Sequence, residues 1–359
     1  MLHTNFTPGP SQLYFTVADH VRYAFKEGIP SISHRSKQFE LISKEATEGL
    51  KQLLGIGGDH YILFASSATE IWERLIQNVV AEKSFHFVNG SFSKKFLEIA
   101  RQLNRQSEAV EVKEGEAFSE SQKISEDTEL IAVTHNETST GVSLPLDFIH
   151  AFREKYPEKL IAVDAVSSLP YPAFDYTKID SVYFSVQKAF GLPAGLGVWI
   201  INKKCVDKAE AILDAGKSIG SYHTIPSLVS MAKKHQTPET PNVLGIYLLA
   251  KVVADFNRRG IDIIRKETEY KAAILYQSLT KHQLLQPFVK DKYLQSKTVI
   301  VADCGAYTEK LSRFLSEKGM TPGDGYGSFK KSQLRFANFP AHSKEQYELL
   351  ADSLDAFHG

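Results

Sequence analysis

Lys188 stands in Ser185-Val186-Gln187-Lys188-Ala189-Phe190-Gly191, between the apolar run Val182-Tyr183-Phe184 and a second one from Leu196 to Ile201. A lysine at the end of a buried strand is poorly placed unless its amine is used, because burial lowers the pKa and makes the amine nucleophilic. Such a lysine suits Schiff-base chemistry; a surface lysine in a β-turn fits the same letters. Asp164 ends another apolar run, Leu160-Ile161-Ala162-Val163, 24 residues earlier. A carboxylate there needs a partner, and either a pyridinium nitrogen or a capped turn would serve. Ala65-Ser66-Ser67-Ala68-Thr69-Glu70 follows a strand-like run and opens a helical one, with Ser67 and Glu70 at capping-box spacing. Small residues let backbone approach a ligand, and free N–H groups at a helix start attract an anion. An ordinary capped helix has the same pattern, and the glycines and lysine of a P-loop are missing. Phe92, after Val88-Asn89-Gly90-Ser91, stands where an aromatic can cover a flat ring or simply begin a helix core. His135-Asn136-Glu137-Thr138 follows the run from Leu130. It reads either as a polar loop or as ligand-facing groups at a parallel strand's C-terminal end.

Positioning these residues requires short buried strands alternating with helices. Phe39, Ile42, Ala46, Leu50, Leu53 and Leu54 recur at helical spacing and stop at Gly55; Ile71, Leu75, Ile76 and Val79 mark a second helix. Strands are expected at Tyr61–Phe64, Phe85–Val88, Leu130–Val133, Leu160–Val163, Val182–Val186 and Leu196–Ile201, with a helix over Leu146–Lys155. This alternation predicts an α/β fold with a mostly parallel sheet covered by helices on both faces. From about residue 245 the texture changes. Helical stretches at Val243–Arg259 and Ile261–Lys281 precede a β run at Thr298–Ala302, a helix at Thr308–Lys318 and another near Ser343–Phe357, which reads as a smaller α+β domain. The 359 residues are 43% hydrophobic, enough for one large and one smaller domain. Lys+Arg and Asp+Glu are equal at 42 each, so nothing favours nucleic acid or an anionic membrane. Cys205 and Cys304 make neither a disulfide framework nor a metal cluster, and no metal is expected. The first ten residues lack the basic and apolar regions of a signal peptide, and no apolar run approaches the ~20 residues that span a bilayer. A cytoplasmic protein is the expectation.

A phosphate cup, a ring cover, a carboxylate for a ring nitrogen and a strand-end lysine are the parts that a pyridoxal phosphate site needs. In order and spacing the sequence resembles the class V aminotransferases of the fold-type I pyridoxal phosphate enzymes, most nearly the phosphoserine aminotransferases. The resemblance spans essentially the whole chain. It includes Asn5-Phe6-Thr7-Pro8-Gly9-Pro10, Ser33-His34-Arg35-Ser36, Asn136-Glu137-Thr138 with Gly141-Val142, Gln187-Lys188, Thr237-Pro238-Glu239-Thr240-Pro241 and Leu334-Arg335-Phe336-Ala337.

The resemblance implies a large domain over 16–245 with a seven-stranded sheet, and a small domain made of 1–15 and 246–359. It implies that Lys188 carries the cofactor and moves the substrate's proton, and that Asp164 pairs with the ring nitrogen. Phe92 would stack on the ring and Thr138 would bond its hydroxyl. The phosphate would be held by Ala68, Thr69 and Gln187, together with Gln236 and Thr237 of a second subunit, so a homodimer is implied. Arg335 would clamp the substrate carboxylate, and His34 and Arg35 would meet its phosphate or side-chain carboxylate. The implied reaction is ping-pong transamination between phosphoserine and 2-oxoglutarate, in serine biosynthesis. The phosphoserine enzymes usually have a second His-Arg pair before the carboxylate-binding arginine. Here Lys330 and Lys331 occupy that stretch. Ser67-Ala68-Thr69-Glu70 and Glu137-Thr138-Ser139-Thr140-Gly141-Val142 look more like serine– or alanine–glyoxylate aminotransferases, the alternative. A cysteine desulfurase would have His in place of Gln187, and a dinucleotide-binding dehydrogenase would have its glycines after a strand rather than at Gly55-Ile56-Gly57-Gly58.

Overall fold

The computed structural model describes residues 3–119 and 122–359; Met1 and Leu2, grouped above with the small domain, lie outside them. Two sheets organise the chain. The large one has seven strands in the order His60–Ala65, Gly197–Asn202, Ser181–Ser185, Leu160–Asp164, Leu130–Thr134, Lys83–Val88, Gln106–Glu111. Gly197–Asn202 runs antiparallel to both neighbours, and the other pairings are parallel.

Period-two alternation divides the side chains of these strands between two cores. Ile62, Phe64, Val133, Val163 and Phe184 enter one core, with helices Lys37–Leu54 and Val243–Arg259. Leu63, Ala132, Ala162, Tyr183 and Trp199 enter the other, with helices Ala68–Val79, Ser91–Gln102 and Lys203–Asp214. Burial on both faces is why these strands read as continuous apolar runs. Gln106–Glu111 is different. It is an edge strand, exposed or half-buried along its length, and its letters QSEAVE carry no apolar run to announce it.

Five strands form the smaller sheet: Thr4–Phe6, Met320–Asp324, Gln333–Ala337, Val299–Asp303 and Gln286–Pro287, in that order. Helices Ile261–Lys281, Thr308–Glu317 and Lys344–Asp355 pack on it through Leu275, Leu279, Leu311, Leu315, Leu350 and Leu354. Helix Val243–Arg259 shares its core with the large sheet, and so does Ile264 of the next helix, whose Ala272 and Leu275 belong to the small-sheet core; the passage between the two cores falls within helix Ile261–Lys281. The first strand pairs in parallel with Met320–Asp324, which returns the start of the chain to its far end. No helix among the described residues is long and apolar enough to cross a membrane.

Candidate active site

Parallel strands end side by side at one edge of the large sheet. Asp164 closes Leu160–Asp164, Ser185 closes its neighbour, and Lys188 follows in the next turn. A cavity of about 210 Å³ opens there, with Thr69, Trp72, Phe92, Thr138, Asp164 and Lys188 in its wall. Ala68 and Gln187 line it too.

Lys188 is half-buried, and its exposed surface lines this cavity. Its Nζ donates to the Pro8 carbonyl at 2.6 Å and lies 5.9 Å from the centroid of Phe92. Burial lowers the amine to about 8, and the Arg335 guanidinium pushes the same way, against Asp164 and Glu137. A substantial fraction is therefore the neutral nucleophile near neutral pH. The roof over the amine comes from the start of the chain. Ser11 N–H donates to the Gln187 carbonyl at 3.0 Å, and Gly9, at φ +140°, passes so close that a Cβ would overlap Lys188 Cε and Nζ. Only glycine has both the dihedral and the room.

Asp164 is 4% exposed. Its Oδ1 accepts the Val166 N–H at 2.9 Å and its Oδ2 accepts Trp72 Nε1–H at 3.0 Å. Burial pushes the carboxyl up to about 7, although both bonds pull it down. The Lys188 ammonium also pulls it down, and burial still outweighs all three.

Helix Ala68–Val79 starts at the same edge. Ser67 Oγ caps it by accepting Glu70 N–H at 3.1 Å. The Glu70 side chain does not return to Ser67. It accepts Ser66 N–H and Oγ–H at 2.7 and 2.6 Å, and its other oxygen lies 2.5 Å from His223 Nδ1. Burial opposes a charge on His223, but Glu239 and Glu70 hold it protonated, raised to about 9. Ala68 N–H donates to Ser185 Oγ at 3.0 Å, while Thr69 N–H has no acceptor among the described residues and is free for an anion.

Glu137, fully buried, governs Phe92. Its Oε2 accepts N–H and Oγ–H of Ser93, both at 2.9 Å, and its Oε1 accepts Phe92 N–H at 3.3 Å, so it caps helix Ser91–Gln102. Thr138 Oγ1 donates to Ser167 Oγ at 2.8 Å. Arg335 approaches from the small sheet. Its Nε donates to Asp324 O at 2.6 Å and its Nη1 to Thr138 O at 3.2 Å, while its Cζ sits 5.4 Å from the Tyr326 ring centroid. Tyr326 in turn lies 5.1 Å from Phe92. Arg335 Nη2 has no acceptor among the described residues, which leaves part of the fork for a ligand.

His34, Arg35, Gln236 and Thr237 do not line this cavity. They form their own cluster. Arg35 Nη1 donates to Gln236 Oε1 at 3.0 Å and Thr237 O at 2.7 Å, Arg35 Nη2 to Pro238 O at 3.1 Å, and His34 Nδ1 lies 3.4 Å from Thr240 Oγ1. Lys330 and Lys331 are exposed. Trp72 and Tyr326 shape the site without any sign of it in the sequence pattern, since each acts through a contact between distant segments; Glu137 and Pro8 stand in motifs noted above, but their contacts were not legible there.

The donors fit pyridoxal phosphate. A desolvated amine, a buried carboxylate, an aromatic face and a free N–H at a helix start converge on one cavity. A model of the family Aminotransferase class-V matches residues 3–325. The chain is 28% identical over 328 residues to a phosphoserine aminotransferase of Rhodococcus opacus (strain B4), covering 90% of this chain and 87% of that one. It superposes with TM-score 0.98 and 50% identity on a solved phosphoserine aminotransferase of Cytophaga hutchinsonii, covering 99% of both chains. The ureidoglycine–glyoxylate aminotransferase of Bacillus subtilis, at 22% identity and TM-score 0.83 over 99% of this chain and 92% of that one, shares the fold. The chain belongs to the class V aminotransferases, and its cofactor is pyridoxal phosphate.

Proposed function

We propose that this aminotransferase interconverts phosphoserine with 3-phosphohydroxypyruvate, using glutamate and 2-oxoglutarate as the second pair, in serine biosynthesis. The observation that carries the substrate is the 50% identity across 99% of both chains with the Cytophaga hutchinsonii enzyme. The roles of individual residues rest on the geometry above. Bound pyridoxal phosphate supplies an electron-withdrawing conjugated ring next to the substrate's α-carbon. Lys188 Nζ takes the proton from that carbon, a task suited to an amine near pKa 8. Asp164 holds its carboxylate toward a protonated ring nitrogen. Phe92 covers a ring face, and Thr138 keeps hydroxyl lone pairs for the ring hydroxyl. Thr69, with Ala68 and Gln187, receives the phosphate. Arg335 turns its free nitrogen to the substrate carboxylate. The roof residue Gly9 keeps bulk water off the amine.

A panel of donors tests the substrate. With 2-oxoglutarate as acceptor, kcat/KM for phosphoserine should exceed that for serine or alanine by ~10²-fold or more, the scale of a desolvated phosphate contact. Equal values for phosphoserine and serine would refute the proposal. Faster turnover of serine or alanine with glyoxylate would establish the glyoxylate-type reading, which the exposed Lys330 and Lys331 leave as the competitor.

Gln236, Thr237, His34 and Arg35 would then serve a partner's site in a homodimer. Their clustering away from this chain's own cavity supports that arrangement. Inactive Lys188→Ala chains mixed with Arg35→Ala chains should recover roughly a quarter of wild-type sites through hybrid dimers. Mixtures no more active than their components would exclude shared sites.

A further inference from the structure

Trp72 is a single-helix link between two ends of the cavity. It lies on the same helix as Ala68 and Thr69, one turn on from Ala68, and is 3% exposed. Residues four apart stack on one helical face. Ala68 N–H reaches Ser185 Oγ at 3.0 Å, and Trp72 Nε1–H reaches Asp164 Oδ2 at 3.0 Å. Both acceptors close adjacent strands, Ser181–Ser185 and Leu160–Asp164. The indole is fixed from the other side by Phe96, stacked at 5.7 Å and 16°. Its N–H therefore has one direction, and that direction points at the carboxylate.

Each Asp164 oxygen accepts one donor, one from the backbone and one from Trp72. Losing the backbone donor would require refolding the turn. Losing the indole donor requires only one side chain. We infer that Trp72 is the positioning residue of Asp164: it fixes the carboxylate's rotation and favours its ionised form, so that the helix which starts the phosphate cup also sets the distance from the cup to the ring-nitrogen acceptor. This rests on the reading of Asp164 given above.

The test is a double-mutant cycle on the holoenzyme, read as retention of pyridoxal phosphate during dialysis and as kcat. Trp72→Phe keeps an aromatic against Phe96 and removes the N–H. It should weaken retention roughly 10- to 100-fold, the scale of one hydrogen bond to a charged group. In an Asp164→Ala background the same change should have almost no effect. Trp72→His, which keeps a ring N–H, should recover part of the retention. Thermal unfolding of the cofactor-free proteins monitors the fold. Equal losses in both backgrounds would mean a structural role and overturn the inference, as would unchanged retention in Trp72→Phe. Wild-type protein that takes up no cofactor would overturn the reading of the site itself. Wild-type retention with a silent Asp164→Ala would overturn only the role of Asp164 and, with it, of Trp72.

Discussion

Lys188→Ala protein should be colourless after incubation with pyridoxal phosphate and should transaminate at least ~10⁴-fold more slowly than wild type, general acid–base transfer alone being worth ~10²–10⁴. Among the described residues, Lys188 is the only lysine in the cavity wall. Burial and the Arg335 guanidinium both favour its neutral form, which suits the proposed roles of nucleophile and proton carrier. No neighbour replaces it. The groups around it are the Pro8 carbonyl, the Phe92 face, the Asp164 carboxylate and the Arg335 guanidinium, and none of them is both basic and nucleophilic. The fold should tolerate the change, because the amine's bond is to one backbone carbonyl and the site already accommodates a partly desolvated group. Absorbance of the dialysed protein and single-turnover rates with excess donor check the result. A wild type that stays colourless, or a variant within tenfold of wild type, would refute the assignment.

Asp164→Ala should lower kcat by ~10²–10³-fold, the scale of a preorganised charge in a dry site, with KM for the amino donor nearly unchanged because, in the proposed role, the carboxylate would meet the cofactor and not the donor. Asp164→Asn adds a stability readout. The folded carboxyl at about 7 lies above its ordinary value of 3.8. A group raised in this way favours folding below pH 3.8 and loses that contribution as pH rises toward 7. In cofactor-free protein, Asp164→Asn should flatten that part of the profile and be the more stable form near neutrality. Thermal unfolding between pH 4 and 7 measures it, and parallel profiles for the two proteins would contradict the buried-carboxylate account.

The parts of the site that were legible are those tied to strand ends. Lys188 and Asp164 follow apolar runs that both cores require, so their place at one sheet edge follows from the runs themselves. The cup was half legible. Ser67 caps as its spacing predicts, but Glu70 turns to Ser66 and His223, a contact from 153 residues away that no local pattern contains. Trp72 reads as one more apolar residue on a helix face, because its N–H partner is 92 residues distant. Strand Gln106–Glu111 is an edge and half-polar, so it lacks a buried strand's mark. Met320–Asp324 holds Pro322 and Gly323, residue types that disfavour strands, and no strand was expected there, yet it pairs with strands on both sides. His34, Arg35, Gln236 and Thr237 resembled site residues by motif, and one chain collects them away from the cavity.

The roof at Gly9 has a consequence for how this molecule divides. The strand at Thr4–Phe6 belongs to the small sheet, the roof that follows it covers a lysine of the large sheet, and Arg335 enters from the small sheet again. A fragment ending near residue 245 would retain Asp164, Lys188 and the cup while losing the guanidinium. One starting near residue 16 would lose the roof and leave the amine open to water. Either cut would dismantle the proposed site, because Lys188 Nζ is surrounded by residues from opposite ends of the polypeptide.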